Sequence, residues 1–320
     1  MTEFIHRPVM LNQCIEGLNI KPDGIYVDGT LGGGGHAWAI SQKLEPGGLL
    51  IGIDRDGAAI EAAKTRFSQH SKATFLPIRN THENIRQVLD ELSISAVDGF
   101  LLDLGVSSYQ LDTPNRGFSY RFDSPLDMRM DDRATLTAYN VVNNYSEKEL
   151  SAIIKNYGEE RFAKRISRAI CNNRPVKTTS ELSEIIKRSV PGGPPSLGHP
   201  AARTFQALRI EVNGELSGLA KTIEDMVNLL KPGGRICIIT FHSLEDRIVK
   251  QSFKYLANPC NCPRDIPYCV CGKIPVLSIL TKKPIRPTSD ELNENPRSHS
   301  AKLRIAQKLL CRTGNNQKML

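Results

Sequence analysis

Short apolar runs, each closed by polar or glycine-rich residues, set the rhythm of the N-terminal third. They are Ile25-Tyr26-Val27-Asp28, Leu49 to Asp54, Ala73 to Ile78 and Val97 to Leu104. Between them Ala37 to Leu44, about Gly57 to Phe67, and Ile85 to Leu92 carry helical periodicity, the first stopped by Pro46-Gly47-Gly48. Apolar runs of this length alternating with helices predict βαβ units, and so a parallel sheet covered on both faces. The rhythm breaks after Gly105. From Tyr109 to about Ala207 there are only polar loops and helical patterns: Glu147 to Ile154 with Ser146 as N-cap, Arg161 to Asn172, and Ser180 to Ser189. Pro191-Gly192-Gly193-Pro194-Pro195 then forces a loop. An amphipathic helix from Glu215 to Leu230, a turn over Lys231-Pro232-Gly233-Gly234 and a fifth strand from Arg235 to Phe241 restore the α/β pattern, with Pro275 to Thr281 and Lys302 to Gln307 as further strands. The expected organisation is one α/β domain in two pieces, 1–108 and 208–320, interrupted by a helical insert over 109–207.

The length of 320 residues suits one large domain or two ordinary ones, and 40% hydrophobic with 24% charged residues excludes disorder, collagen and coiled coil as a reading of the whole. Lys and Arg number 42 against 34 Asp and Glu, and the resulting +8 favours a polyanionic partner without requiring one. No signal peptide pattern opens the chain and no apolar run is long enough for a membrane helix, so a cytoplasmic location without membrane contact is expected. Eight cysteines in a chain of this size are expected as reduced thiols.

In an open parallel sheet, ligands bind beyond the carboxyl ends of the strands. Three features converge there: Asp28 with the loop Gly29-Thr30-Leu31-Gly32-Gly33-Gly34-Gly35-His36, Asp54 ending the second strand, and Asp103 ending the fourth. Glycines let backbone approach a ligand where a Cβ would collide, and an acid closing strand two can accept both hydroxyls of a ribose. Asp54 reads equally as an exposed turn residue. The loop also parses as G-x-G-x-x-A through Gly32, Gly34 and Ala37, the fingerprint of a nicotinamide domain. No His/Lys/Arg hydride-transfer set stands at the strand ends, however, and Leu229-Leu230-Lys231-Pro232-Gly233-Gly234-Arg235 resembles the phrase that precedes strand five in S-adenosylmethionine-dependent methyltransferases.

Longer phrases run through almost the whole chain. They are His6-x-Pro8-Val9, Asp28 to His36, Ile53-Asp54-Arg55-Asp56, Leu101 to Ser108, Gly117-Phe118-Ser119, Pro125 to Met130, Tyr157 to Ala163, Arg203 to Ala207, Phe241 to Arg247, and Asn295-Pro296-Arg297. In type and order they resemble the bacterial MraW (RsmH) family, which methylates N4 of a cytosine in the decoding region of 16S ribosomal RNA. The resemblance implies a class I methyltransferase fold (Rossmann-like, mostly parallel sheet) with an inserted all-helical domain, S-adenosyl-L-methionine as cofactor, and 16S rRNA within the small ribosomal subunit as substrate. It implies that Gly34, Gly35 and His36 line the methionine end of the cofactor, that Asp54 holds its ribose, and that Asp103 lies near the adenine side and the methyl. Gln110 contributes from the loop beyond, and His82 stands where relatives often carry an aromatic against adenine. Gln13 replaces an acid common in relatives.

A cytosine-C5 methyltransferase needs a thiolate nucleophile, usually in a Pro-Cys pair after strand four. Strand four here leads instead into Asp103-Leu104-Gly105-Val106-Ser107-Ser108, and Pro259-Cys260 lies far along the chain. N-methylation needs no covalent nucleophile, only acceptors that hold the amine while it lines up with the S–CH3 bond. Asp103, Ser107 and Ser108 are the candidates, with His242 as a second choice that reads equally as the cap of a helix starting at Ser243. Seven basic residues against two acids lie between Lys155 and Lys177. Arg161, Arg165 and Arg168 share one helical face there, an RNA-phosphate surface or simply a solvated one. Cys260-x-Cys262 and Cys269-x-Cys271 suggest zinc, but the usual spacing is C-x-x-C and the resemblance implies no metal, so none is expected. A non-catalytic RNA-binding assembly factor with a vestigial fold remains the alternative to the enzyme. The conjunction of glycine loop, Asp54 and Asp103 favours the enzyme.

Overall fold

The computed structural model describes residues 8–68, 72–191, 199–263 and 268–310, so His6 and Cys311 lie outside the described residues, as does the Ser108 side chain. The chain forms two compact units, one of residues 1–54, 58–105 and 219–320, the other of residues 55–57 and 106–218.

In the first unit the elements follow as α1 (Leu11–Leu18), β1 (Ile25–Asp28), α2 (Gly35–Ser41), β2 (Leu49–Asp54), α3 (Gly57–Phe67), β3 (Thr74–Arg79), α4 (Ile85–Glu91) and β4 (Val97–Asp103). The second unit contributes α5 (Ser108–Asp112), α6 (Ala138–Asn144), α7 (Glu147–Gly158), α8 (Ala163–Asn172), α9 (Thr179–Ser189) and α10 (Ala202–Asn213). The first unit resumes with α11 (Leu219–Leu229), β5 (Leu230–Thr240), α12 (Ser243–Ala257), β6 (Leu277–Ile279), α13 (Ser289–Glu294) and β7 (Lys302–Lys308).

The sheet order is β3-β2-β1-β4-β5-β7-β6. Strands β1 to β5 are parallel, while β7 runs antiparallel to both β5 and β6. Alternate residues of each strand feed two cores. Val27, Ile51, Ile53, Phe100, Leu102, Ile236 and Ile238 pack under α4, α11 and α12. Tyr26, Leu50, Leu101, Cys237 and Ile239 pack under α1, α2 and α3. A period of two with both faces apolar is why these strands read as continuous hydrophobic runs.

The insert has its own core, in which Leu150, Ile154, Ile166, Ile170, Leu182, Ile186, Phe205 and Leu208 meet. Four of its six helices begin at capping boxes, on Ser107, Thr137, Ser146 and Thr178, which satisfy orphan amides reciprocally. Three sequence boundaries need correction. The division expected at 207/208 falls inside α10, because Phe205, Leu208 and Val212 all bury in the insert core. Helix α8 starts at Ala163, leaving Arg161 ahead of it. Strand β5 starts at Leu230, which pairs with Val97 before a bulge carries Lys231 to Gly234 out of register and Arg235 pairs with Gly99.

Candidate active site

The order of strands reverses between β1 and β4, since the chain leaves β1 for β2 and β3 on one side and returns to β4 and β5 on the other. Such a switch point opens a crevice at the carboxyl ends. Register fixes its walls. Asp28, the last residue of β1, pairs with Gly52 and with Leu101, so Asp54 and Asp103 each overhang it by two residues, about 6.6 Å of strand.

The glycine loop is pinned between those overhangs. Gly29 N–H donates to Leu101 O at 2.9 Å and Leu31 N–H to Ile53 O at 2.9 Å. Gly32 N–H donates to Asp54 Oδ2 at 2.7 Å, and Asp103 N–H to Thr30 Oγ1 at 2.6 Å. Gly32 (φ 49°) and Gly34 (φ 73°) take the left-handed backbone that favours glycine, and Gly34 caps α2. Gly35 is crowded differently, as a Cβ there would sit 2.3 Å from Pro8 Cγ. His82, 8% exposed, lies against the β1 tip, since a Cβ on Gly29 would come within 3.3 Å of its own Cβ.

Carboxyl groups dominate the crevice electrostatically. Asp28 is 1% exposed. Burial, reinforced by the charge of Asp54 and opposed by hydrogen bonds from Thr30 and Ala37, pushes its pKa up to about 7. Asp103 is raised well above the ordinary range by burial and then by Asp28 and Glu245. Asp28 Oδ2 and Asp103 Oδ1 are buried atoms with no hydrogen-bond partner among the described residues. His36 Nε2 donates to Val9 O at 2.9 Å, which turns Nδ1 toward Asp103 Oδ2 at 3.7 Å.

Other predicted residues are occupied locally. His242 caps α12: Nδ1 accepts from Glu245 N–H at 3.4 Å and Nε2 lies 3.1 Å from Glu245 Oε1. The capping reading of that histidine is the one its geometry supports. In the second unit Ser107 Oγ accepts from Gln110 N–H at 3.2 Å, and Gln110 Oε1 accepts from Ser107 N–H at 3.0 Å. Gln110 Nε2 donates to Asp56 Oδ2 at 2.9 Å, which Arg116 also meets at 2.9 Å. Ser107 and Gln110 thus form a capping box built onto a buried ion pair. Sequence reasoning treated them as free groups, although the S-x-x-Q spacing was visible. Thr30, Asp56 and Arg116 were also missed as structural partners.

On the insert, Arg165 and Arg168 of α8 line an open concavity with Ile185, Arg188 and Ser189 of α9 and with Asn172 and Asn173. Arg168 also pairs with Glu147 at 3.4 Å. Arg161 does not join this concavity; its guanidinium lies 4.6 Å over the Phe162 ring. Arg161 stands two residues ahead of the start of α8, so of the three arginines expected on one helical face only Arg165 and Arg168 belong to the helix.

A doubly wound sheet with an antiparallel seventh strand, a glycine loop at its switch point and acids overhanging it on either side defines a class I methyltransferase. Sequence comparison narrows the class. The MraW methylase family matches residues 3–309, and the chain belongs to that family. It is 56% identical over 310 residues to ribosomal RNA small subunit methyltransferase H of Clostridium botulinum (strain Kyoto / Type A2), covering 96% of this chain and all of that one. The protein of the same name from Lachnospira eligens is 54% identical over 311 residues, 96% of this chain and 98% of its own. That of Clostridioides difficile is 53% identical over 312 residues, 96% and 100% respectively.

Proposed function

We propose that this methylase transfers the methyl group of S-adenosyl-L-methionine to the exocyclic N4 of a cytosine in the decoding region of 16S rRNA, acting on the small ribosomal subunit in the cytoplasm. No helix among the described residues is long and apolar enough to cross a membrane.

The observation that carries the reading is the carboxyl-rich crevice around the glycine loop. Buried carboxyl oxygens lacking partners favour a ligand bearing positive charge. When bound, the donor supplies an electrophilic methyl on a cationic sulfur together with an ammonium group. Open space over Gly33, where a Cβ would meet nothing within 4 Å, leaves room for it beside the loop.

Within the crevice, Gly34, Gly35 and His36 would hold the methionine end, Asp54 would accept the ribose hydroxyls and His82 would lie against the adenine. Asp103 receives the amine. Asp103, whose proton affinity burial raises, would in its ionised form accept the proton that the amine must lose on methylation. No thiol nucleophile enters the scheme. Ser107 and Gln110 hold the loop that follows β4, and His242 holds the start of α12, so we assign these three to positioning, while Ser108 stays a candidate to receive the amine beside Asp103. Arg165 and Arg168, joined by Arg188, track the RNA phosphates, while Arg161 contributes charge from ahead of the helix.

Mass spectrometry of rRNA nucleosides, after incubating the protein with unmethylated small subunits and methyl-labelled donor, tests the reading. Label on cytosine N4 is expected; label on C5, or on another base, would overturn it. Failure of the wild type to bind S-adenosylmethionine would favour the non-catalytic assembly factor.

A further inference from the structure

The sequence left two C-x-C pairs outside any function, and the structure draws them together. Cys260 Sγ lies 3.6 Å from Cys269 Sγ, Cys262 Sγ 3.8 Å from Cys269 Sγ, and Cys269 Sγ 3.4 Å from Cys271 Sγ. All four sulfurs fall within 4.8 Å of one another. With zinc–sulfur bonds of about 2.3 Å, the edges of a tetrahedral tetrathiolate measure about 3.8 Å. A disulfide would need about 2.05 Å, and all four cysteines are free.

Hydrophobic burial does not explain this convergence. Cys260 and Cys269 are exposed, and the neighbours Tyr268, Val270 and Ile274 are 81%, 79% and 77% exposed. Backbone amides turn toward the sulfurs instead: Val270 N–H donates to Cys262 Sγ at 3.4 Å. Amide donors to sulfur are the outer-shell feature that stabilises bound thiolates.

We propose that Cys260, Cys262, Cys269 and Cys271 bind one zinc ion in a closed, structural tetrathiolate site, which replaces the expectation of no metal. Four protein ligands leave no open position for a substrate, so the ion acts by holding the chain. Position agrees. Helix α12 starts directly after β5 and runs back for 15 residues, about 22 Å. Beyond the cluster the chain enters β6, where Leu277 pairs with Lys308, next to the pair of Gln307 with Arg235 at the start of the parallel run of β5. The cluster therefore lies at the edge of the sheet opposite the glycine loop, where it staples the α12–β6 connection. Iron held by the same four thiolates is the competing outcome.

Elemental mass spectrometry of the full-length protein, purified without chelator, tests the site. One zinc per chain is expected, lost in Cys269→Ser and retained in Cys171→Ser, whose thiol lies outside the cluster. Cobalt substituted for zinc should give the intense visible bands of tetrahedral thiolate coordination. Should Cys269→Ser fail to fold, the wild-type metal content and cobalt spectrum decide alone. Zinc far below one per chain, iron in its place, full retention by Cys269→Ser, or disulfides among the four would each overturn the proposal.

Discussion

Replacing Asp28 by Asn should change how the first unit responds to pH. An unfolded chain ionises Asp28 near 3.8, whereas the folded protein holds it to about 7. Below the lower value both states are protonated and the group is neutral to stability. Above the upper one the fold keeps a buried carboxylate that the unfolded chain would solvate, so stability falls as pH rises through this window. At about 1.4 kcal/mol per pH unit the full penalty approaches about 4 kcal/mol, of which about 2.5 kcal/mol develops between about pH 5 and pH 8. Acids whose pKa is lowered by cationic partners, such as Asp98 beside Lys231 and Asp246 beside Arg304, lose their contribution only as pH falls through the acid range, outside this interval. Asn keeps an oxygen to accept from Thr30 N–H and carries no charge, and its neutrality also eases ionisation of Asp103. Urea unfolding followed by the fluorescence of Trp38, the only tryptophan, reports on this unit because Trp38 lies in α2 against Phe67. Relative to wild type, Asp28→Asn should gain about 1 M in its urea midpoint on going from pH 5 to pH 8. Parallel pH profiles for the two proteins would refute the buried-carboxylate account.

Three further outcomes are expected. Asp54→Ala removes the acceptor of Gly32 N–H and the proposed ribose acceptor, and should weaken S-adenosylmethionine binding about 10- to 100-fold by calorimetry, a charged hydrogen bond being worth about 1.5–3 kcal/mol; unchanged affinity would remove Asp54 from the site. Arg165→Glu with Arg168→Glu should lower RNA affinity and flatten its salt dependence by about one unit of slope per lost phosphate contact while sparing cofactor binding, and equal rRNA methylation by both proteins would sink that assignment. Gly117→Ala forces φ 68° on a residue with a Cβ, which would then stand 2.3 Å from Pro125 O; a loss of about 1–3 kcal/mol, visible as faster hydrogen exchange in the insert, is expected, and wild-type exchange rates would contradict it.

The parts of the fold legible from sequence were those fixed by local pattern. The tips of β1, β2 and β4 could be placed because apolar runs end at Asp28, Asp54 and Asp103 within the chain itself. What escaped depended on distant partners. Leu230 reads as the end of a helix until its pairing with Val97 is known. The insert boundary fell inside α10 because Phe205 and Leu208 bury against helices far earlier in the chain. At the site, a residue type suggested chemistry where geometry revealed occupation. Ser107, Gln110 and His242 are the polar residues a reacting amine would want, but each caps a helix through an adjacent backbone amide. Their three-residue spacing to Gln110 or Glu245 carried that message in advance.

Inserting a helical unit between neighbouring strands has a cost during synthesis. Strand β4 is complete at Asp103, yet the partner for its free edge does not begin to form until Leu230. At ~5–20 residues per second the ribosome leaves that edge waiting for several seconds. Six of the seven β4 residues are buried in the finished sheet, so the waiting edge is an apolar template for another nascent chain. The capping boxes of the insert let its helices settle locally in the meantime, which limits how much unfolded chain trails beside the open edge. Ribosome-bound chains stalled before Leu230 should accordingly recruit a chaperone more strongly than chains stalled after Thr240, and equal recruitment would argue that the edge is covered some other way.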